Sequence, residues 1–166
     1  MVTDRPGVGH ERGIRSGTPD VAGACALAAA LEFAVEHRLE RVQRAQKLRE
    51  RLISGLPQGV CLSVDPATAS AAIIHLLIPT HHPEAVLLAM DMAGVDVSAG
   101  SACHAGVTRP SRVVMALGYT ENQALGVLRV STGMETTEED IDAFLRALPA
   151  AIRAGQALDE RDRMDA

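Results

Sequence analysis

Tryptophan is absent from this chain of 166 residues, phenylalanine occurs twice and tyrosine once. A core without aromatic bulk has to be built from Ala, Val, Leu and Ile, which favours close-packed helices on a small sheet. Lysine is nearly absent as well, Lys47 being the only one. Cysteine occurs at 25, 61 and 103, too rarely and too widely spaced for a disulfide framework or a zinc site, so a reducing cytoplasm is the expected compartment. No apolar run approaches the roughly 18–20 residues of a membrane span, and residues 1–9 are too polar and too rich in Gly and Pro for a signal peptide. Net charge is −5, with no basic cluster interleaved with aromatics, which argues against nucleic acid as a partner. The length suits one domain able to bury a proper core.

Residues 1–19 carry glycines at 7, 9, 13 and 17, prolines at 6 and 19, and little periodicity, the pattern of an irregular connection. A long helix is expected over about 21–52, with Thr18 or Asp20 near its start. Its first half is apolar nearly all round, which implies burial on several sides, and its second half is amphipathic. Strands are expected at about 60–64 and 72–78, then a helix opened by Pro83 and stopped by Gly94, and a short extended run at 95–98. A Gly/Ser/Ala loop over 99–110 precedes a short helix to 117. Thr120 with Gln123, and Thr136 with Glu139, have capping-box spacing for two more helices, the second running to about 154. A third strand fits 127–131, and the tail from 158 is expected to fray. The order gives an α/β two-layer domain with a small, mainly antiparallel sheet packed by helices.

The loop Ser98-Ala-Gly-Ser-Ala-Cys103-His-Ala-Gly-Val-Thr-Arg-Pro110 holds a cysteine between small residues, where a thiol is accessible. Free thiols are only slightly ionised at neutral pH, and His104 and Arg109 lie near enough in sequence to assist. Composition alone leaves a nucleophile and an inert loop cysteine equally open. Cys25, within the apolar helix, and Cys61, within a strand, read as core fillers. His75 reads as a satisfied core histidine, while His10, His81 and His82 show no metal-ligand spacing and read as structural. Arg129 lies among Val127, Leu128 and Val130, where an unpaired charge is expensive and a fixed anion would relieve it.

Two families resemble this loop. Cys103 to Arg109 has the C-x-x-G-x-x-R spacing of cysteine-dependent phosphatases, which cradle phosphate on backbone N–H groups. Pro110 after the arginine, Ala102 before the cysteine and the lack of tryptophan depart from that pattern. The second resemblance covers about 140 residues in order. Gly9-His-Glu-Arg-Gly-Ile-Arg-Ser-Gly-Thr18 resembles the glycine-rich segment of cysteine desulfurases in the class V aminotransferase family, and Ser101-Ala-Cys103 resembles their catalytic-cysteine loop. Arg109-Pro-Ser-Arg-Val-Val-Met-Ala-Leu-Gly118 is similar to the helix after that loop. Leu128-Arg129-Val-Ser-Thr-Gly133 is similar to their substrate-carboxylate strand, and Thr136-Thr-Glu-Glu-Asp-Ile-Asp142 to the start of their last helix.

The resemblance implies the small domain of a fold-type I pyridoxal-phosphate enzyme, with residues 1–19 as a linker from a large domain, 20–157 as the small domain and 158–166 as a tail. It implies Cys103 as the nucleophile that takes sulfur from L-cysteine as a persulfide, and Arg129 as the substrate-carboxylate ligand. Thr18 would reach the cofactor phosphate of the other subunit in a homodimer, with Arg12 and Arg15 as supports of that segment. A sulfur-acceptor protein, such as an iron–sulfur scaffold, would be the partner. Pyridoxal phosphate is held through a lysine Schiff base, and Lys47, between Arg44 and Arg51 on a charged helix face, has no such context. The resemblance therefore covers only the carboxy-terminal part, expected to be inactive alone. A split enzyme, a shortened gene or misplaced start codon, and a persulfide-carrying or interaction module remain open, with Met1 and the loop-like first residues favouring a shortened gene.

Overall fold

The computed structural model describes residues 9, 10, 12, 14–99 and 109–165, which divide between two compact units, one ending at Glu40 and the other starting at Arg41. In the first unit, part of the segment expected to be irregular is a small antiparallel hairpin, β1 (Gly9–His10) with β2 (Arg15–Ser16). Gly17 follows with φ of +90°, a left-handed conformation that glycine adopts without a Cβ clash. The Arg15 guanidinium donates to the carbonyls of Gly17 and Thr18 at 2.8 and 2.9 Å and so braces the run into the next helix.

The single helix expected over 21–52 is two, α1 (Val21–Glu36) and α2 (Arg38–Ser54). Of the two expected cap residues, Asp20 takes the role: its carboxylate accepts from Gly23 N at 2.9 Å. The helices part at His37, whose Nδ1 bonds the Phe33 carbonyl at 2.9 Å while its own N–H bonds the same oxygen. A side chain sharing a ladder acceptor is a recognised cause of a helix break, and no Gly or Pro announces it in the sequence. Burial on several sides is not found for α1. None of its residues is buried, and Val21, Leu27, Leu31 and Val35 are each more than half exposed. Cys25 and Cys61, read as core fillers, are both exposed.

The second unit carries a four-stranded antiparallel sheet in the order β3 (Cys61–Leu62), β4 (Ile73–Leu77), β6 (Val127–Ser131), β5 (Ser98–Ala99). The central pair is the longest, in register from Ile73 opposite Ser131 to Leu77 opposite Val127. Alternate residues Ile74, Leu76, Leu128 and Val130 form one apolar face. Leu48 and Leu52 of α2, Val86 and Met90 of α3 (Pro83–Met92), and Ile141, Phe144, Leu148 and Ile152 of α6 (Glu138–Met164) pack on it. Each large side chain so withdrawn from water contributes about 1.5–3 kcal/mol. On the opposite face, Leu77 and Val127 are covered by Val114 of α4 (Arg112–Ala116) and Ala124 of α5 (Glu121–Leu125). The far end of that face, with Ile73, His75, Arg129 and Ser131, carries no such cover from α4 and α5. The two-layer reading with a small antiparallel sheet is the observed fold. No helix among the described residues is long and apolar enough to cross a membrane.

Gly126 joins α5 to β6, and its carbonyl accepts from Ile78 N at 2.8 Å. A Cβ there would run into the backbone oxygens of Ile78 and Thr80. Gly126→Ala is expected to destabilise the fold by about 1–3 kcal/mol through overpacking against backbone that cannot swing aside, read as a lower urea midpoint at unchanged slope.

Thr120 and Gln123 form the expected capping box. The second box sits one residue along, Thr137 with Asp140, because Thr136 spends its hydroxyl on Gly133 N at 2.8 Å. The hydrogen bonds from Thr137 hold the Asp140 carboxyl below its usual range. The tail expected to fray from 158 instead continues α6 to Met164. Asp159 accepts from His81 N at 3.0 Å, and the His82 ring is held between Asp162 (Nε2, 2.9 Å) and Glu84 (Nδ1, 3.1 Å). Burial opposes the charged imidazole, but the hydrogen bonds and charges of Glu84 and Asp162 outweigh it and raise the His82 pKa. Since the folded value is raised, this clasp is fully present below the ordinary histidine range and is lost as pH rises through the folded value. Helicity at 158–164 is expected to fall on raising the pH from below about 6.5 to well above it, seen in carbon chemical shifts. His82→Gln is expected to remove the dependence.

Candidate functional site

The open end of the second sheet face is a row of polar side chains set by register. Ser63 N donates to the His75 carbonyl at 3.0 Å, His75 pairs with Arg129, and Arg129 pairs with Ser98. Directly opposed residues on antiparallel strands share a face, so one polar group from each strand lines up across the sheet. His75 and Arg129 interrupt strands whose other central residues face the apolar core, and each therefore points away from it.

Arg129 is exposed although both its neighbours, Leu128 and Val130, are buried. No acid pairs with it among the described residues, so a cation is fixed mid-sheet with its charge unanswered. His75 is half-buried and hydrogen-bonded through Nδ1 to the Ser63 hydroxyl at 2.7 Å, with Ser63 itself buried. Burial first, and then the field of Arg129, push the His75 pKa below its usual value, so the ring is neutral at neutral pH. A neutral imidazole beside an exposed guanidinium leaves the arginine as the positive group able to receive a carboxylate, by the paired geometry its planar fork provides.

In sequence, Cys103 and His104 follow within a few residues of β5, the strand paired with β6 at Arg129. Cys103 and His104 themselves lie outside the described residues. On the far side of the loop Arg109 is exposed. Ser111, buried, donates its N–H to the Ala124 carbonyl at 2.9 Å and caps α4, anchoring the returning chain. Thr18 is exposed in the first unit, ahead of Asp20. Arg15 reaches its carbonyl, and Arg12 is exposed with φ of +58°. Lys47 is exposed on α2. Among the described residues no group of three or more His, Cys, Asp or Glu is disposed to hold a metal ion. Sequence reading singled out Arg129 but missed its partnership with His75 and Ser63. The polar interruptions of two apolar strands were visible, and only the register shows that they meet.

These features define a class of α/β domain in which a four-stranded antiparallel sheet presents an exposed arginine on its open face. The chain belongs to the class V aminotransferase family, whose model matches residues 7–144. An IscS-like cysteine desulfurase of Mycobacterium tuberculosis is 41% identical over 150 residues, covering 88% of this chain and 38% of the relative. Among solved structures, a NifS-like protein superposes with a TM-score of 0.77 at 28% identity, over 91% of this chain and 38% of that one. A NifS-like protein from Rickettsia africae superposes with the same score at 24% identity, over 90% and 39%, a likeness of fold. The chain thus spans about two-fifths of the length of the relatives it matches.

The family implies pyridoxal phosphate in the complete enzyme. The residues present do not supply its attachment: the one lysine, Lys47, is exposed on the charged face of α2, in an open surface recess that it shares with Arg44, Glu138 and Glu139. No chemical step on that cofactor is assigned to this chain.

Ser63→Ala removes the hydroxyl that satisfies His75 Nδ1 and leaves a half-buried polar atom unpaired. A loss of about 1 kcal/mol is expected, measured by denaturant unfolding near neutral pH, with Ser63→Thr retaining most of the stability.

Proposed function

We propose that this chain is the carboxy-terminal portion of a pyridoxal-phosphate-dependent cysteine desulfurase, inactive without the portion that carries the cofactor lysine. Its own residues take the sulfur and hold the substrate. Arg129 receives the carboxylate of L-cysteine, and the Cys103 thiolate accepts the substrate's sulfur as a persulfide, with alanine as the other product. The observation that carries this reading is the exposed, acid-free Arg129 in register with the strand that leads into the Cys103 loop. Cys103 follows Ala99 by four residues, a reach of at most about 14 Å from the strand paired with Arg129. In the complete enzyme, a homodimer, Thr18 contacts the cofactor phosphate of the opposite subunit. The persulfide passes to a cytoplasmic acceptor such as an iron–sulfur scaffold protein.

The exposed position of the only lysine favours a second reading, in which the chain carries persulfide made elsewhere. One experiment separates the two. The purified chain with pyridoxal phosphate and L-cysteine is expected to release no sulfide and to develop no Schiff-base absorbance. Adding an intact desulfurase, followed by persulfide tagging, reports whether Cys103 is loaded, with Cys103→Ala as control. Loading without any cofactor-domain chain favours the carrier. Sulfide release by the chain alone, dependent on Cys103, would sink the proposal.

A further inference from the structure

The polar row contains a pair that sulfur transfer itself does not use. Ser63, buried just beyond β3, holds the His75 ring, while Arg129 stands opposite His75 on β6. Opposed Cβ atoms on antiparallel strands lie about 4.5–5.5 Å apart, so the imidazole forms one wall of the space in which the guanidinium moves. Ser98 stands at the other side, in register on β5. An arginine has a long, flexible stem, and a rigid neighbour on one flank reduces what it loses on docking a carboxylate. His75 is rigid because Ser63 fixes its Nδ1 at 2.7 Å.

We propose that His75 is a positioning residue for the anion site at Arg129, fixing the guanidinium from the β4 side and coupling carboxylate binding to partial protonation of its ring. This rests on reading Arg129 as the carboxylate ligand. Among the described residues Arg129 is the charged group whose field bears on His75. Ser63, just beyond β3, faces the ring, and β5 contributes Ser98 beyond the arginine. A carboxylate bound at Arg129 cancels part of the positive field at the ring, so the imidazole gains a proton more readily. By reciprocity, a protonated His75 tightens the carboxylate. Binding therefore strengthens as pH falls through the titration range of the ring. A unit charge about 6 Å away in water-like surroundings moves a pKa by about half a unit. The affinity difference between the two forms of the ring is then about threefold.

The test uses the 166-residue chain itself, isotope-labelled, with acetate as the carboxylate probe. The His75 ring resonance is followed by NMR across pH and identified by its loss in His75→Asn. Arg129→Gln is expected to raise the His75 pKa by about half a unit, and saturating acetate to do the same in the unaltered chain but not in that variant. Acetate affinity, read from the Arg129 signals, is expected to rise about threefold from the alkaline to the acidic side of the titration. His75→Asn is expected to bind with no pH slope, and His75→Leu to bind more weakly even where the ring is neutral. Unmoved signals from α3 and α6 identify the variants that are folded, and His75→Asn alone suffices if the leucine variant is not. An unchanged His75 titration in Arg129→Gln overturns the coupling. A pH slope kept by His75→Asn, with acetate still bound at Arg129, overturns the positioning role and leaves the carboxylate site standing. Arg129 signals that acetate never moves would remove the carboxylate site, and the role of His75 with it.

Discussion

The pairing of β4 with β6 is the constraint on which the rest of the second unit depends. Five residues of each strand face one another in register, and because side chains alternate, this one ladder sorts ten residues onto two faces at once. Ile74, Leu76, Leu128 and Val130 go to the side where α2, α3 and α6 pack. Leu77 and Val127 go to the side that α4 and α5 cover. His75 and Arg129 are left on the uncovered remainder. The short edge strands add only two residues each, yet β5 matters beyond its length, since it sets Ser98 opposite Arg129.

Much of this architecture is legible in the amino-acid sequence because it is local. Val127–Ser131 reads as a strand from its short run of Val and Leu, Pro83 marks a helix start, and Thr120 with Gln123 forms the box that its spacing announces. What escapes is decided by residues distant in the chain. The tail continues α6 because Asp159 and Asp162 meet His81 and His82, some eighty positions earlier. The cap of α6 moves one residue because Thr136 is engaged by Gly133. The division at His37 turns on a ring bonding a carbonyl one turn back, which no Gly or Pro signals.

The candidate site divides the same way. Arg129 is readable as a charge stranded among apolar residues, and its proposed role comes from the resemblance to cysteine desulfurases. The Ser63 and His75 groups behind it are ordinary polar residues until strand register aligns them. The apolar character of α1 is equally plain in the sequence, but its burial is not met within the chain: Val21, Leu27, Leu31 and Val35 all stand open to solvent. The chain spans about two-fifths of the length of the relatives it matches, and α1 leaves this apolar surface bare.

The period of two that organises the central ladder also limits how this gene can change. A substitution within Val127–Ser131 alters one face at one point. Inserting or deleting a single codon there would shift the strand by one residue, turning Arg129 toward Phe144 and Leu148 and lifting Leu128 and Val130 into water. Core and proposed anion site would be lost together, so this stretch of five residues can drift in composition but not in length.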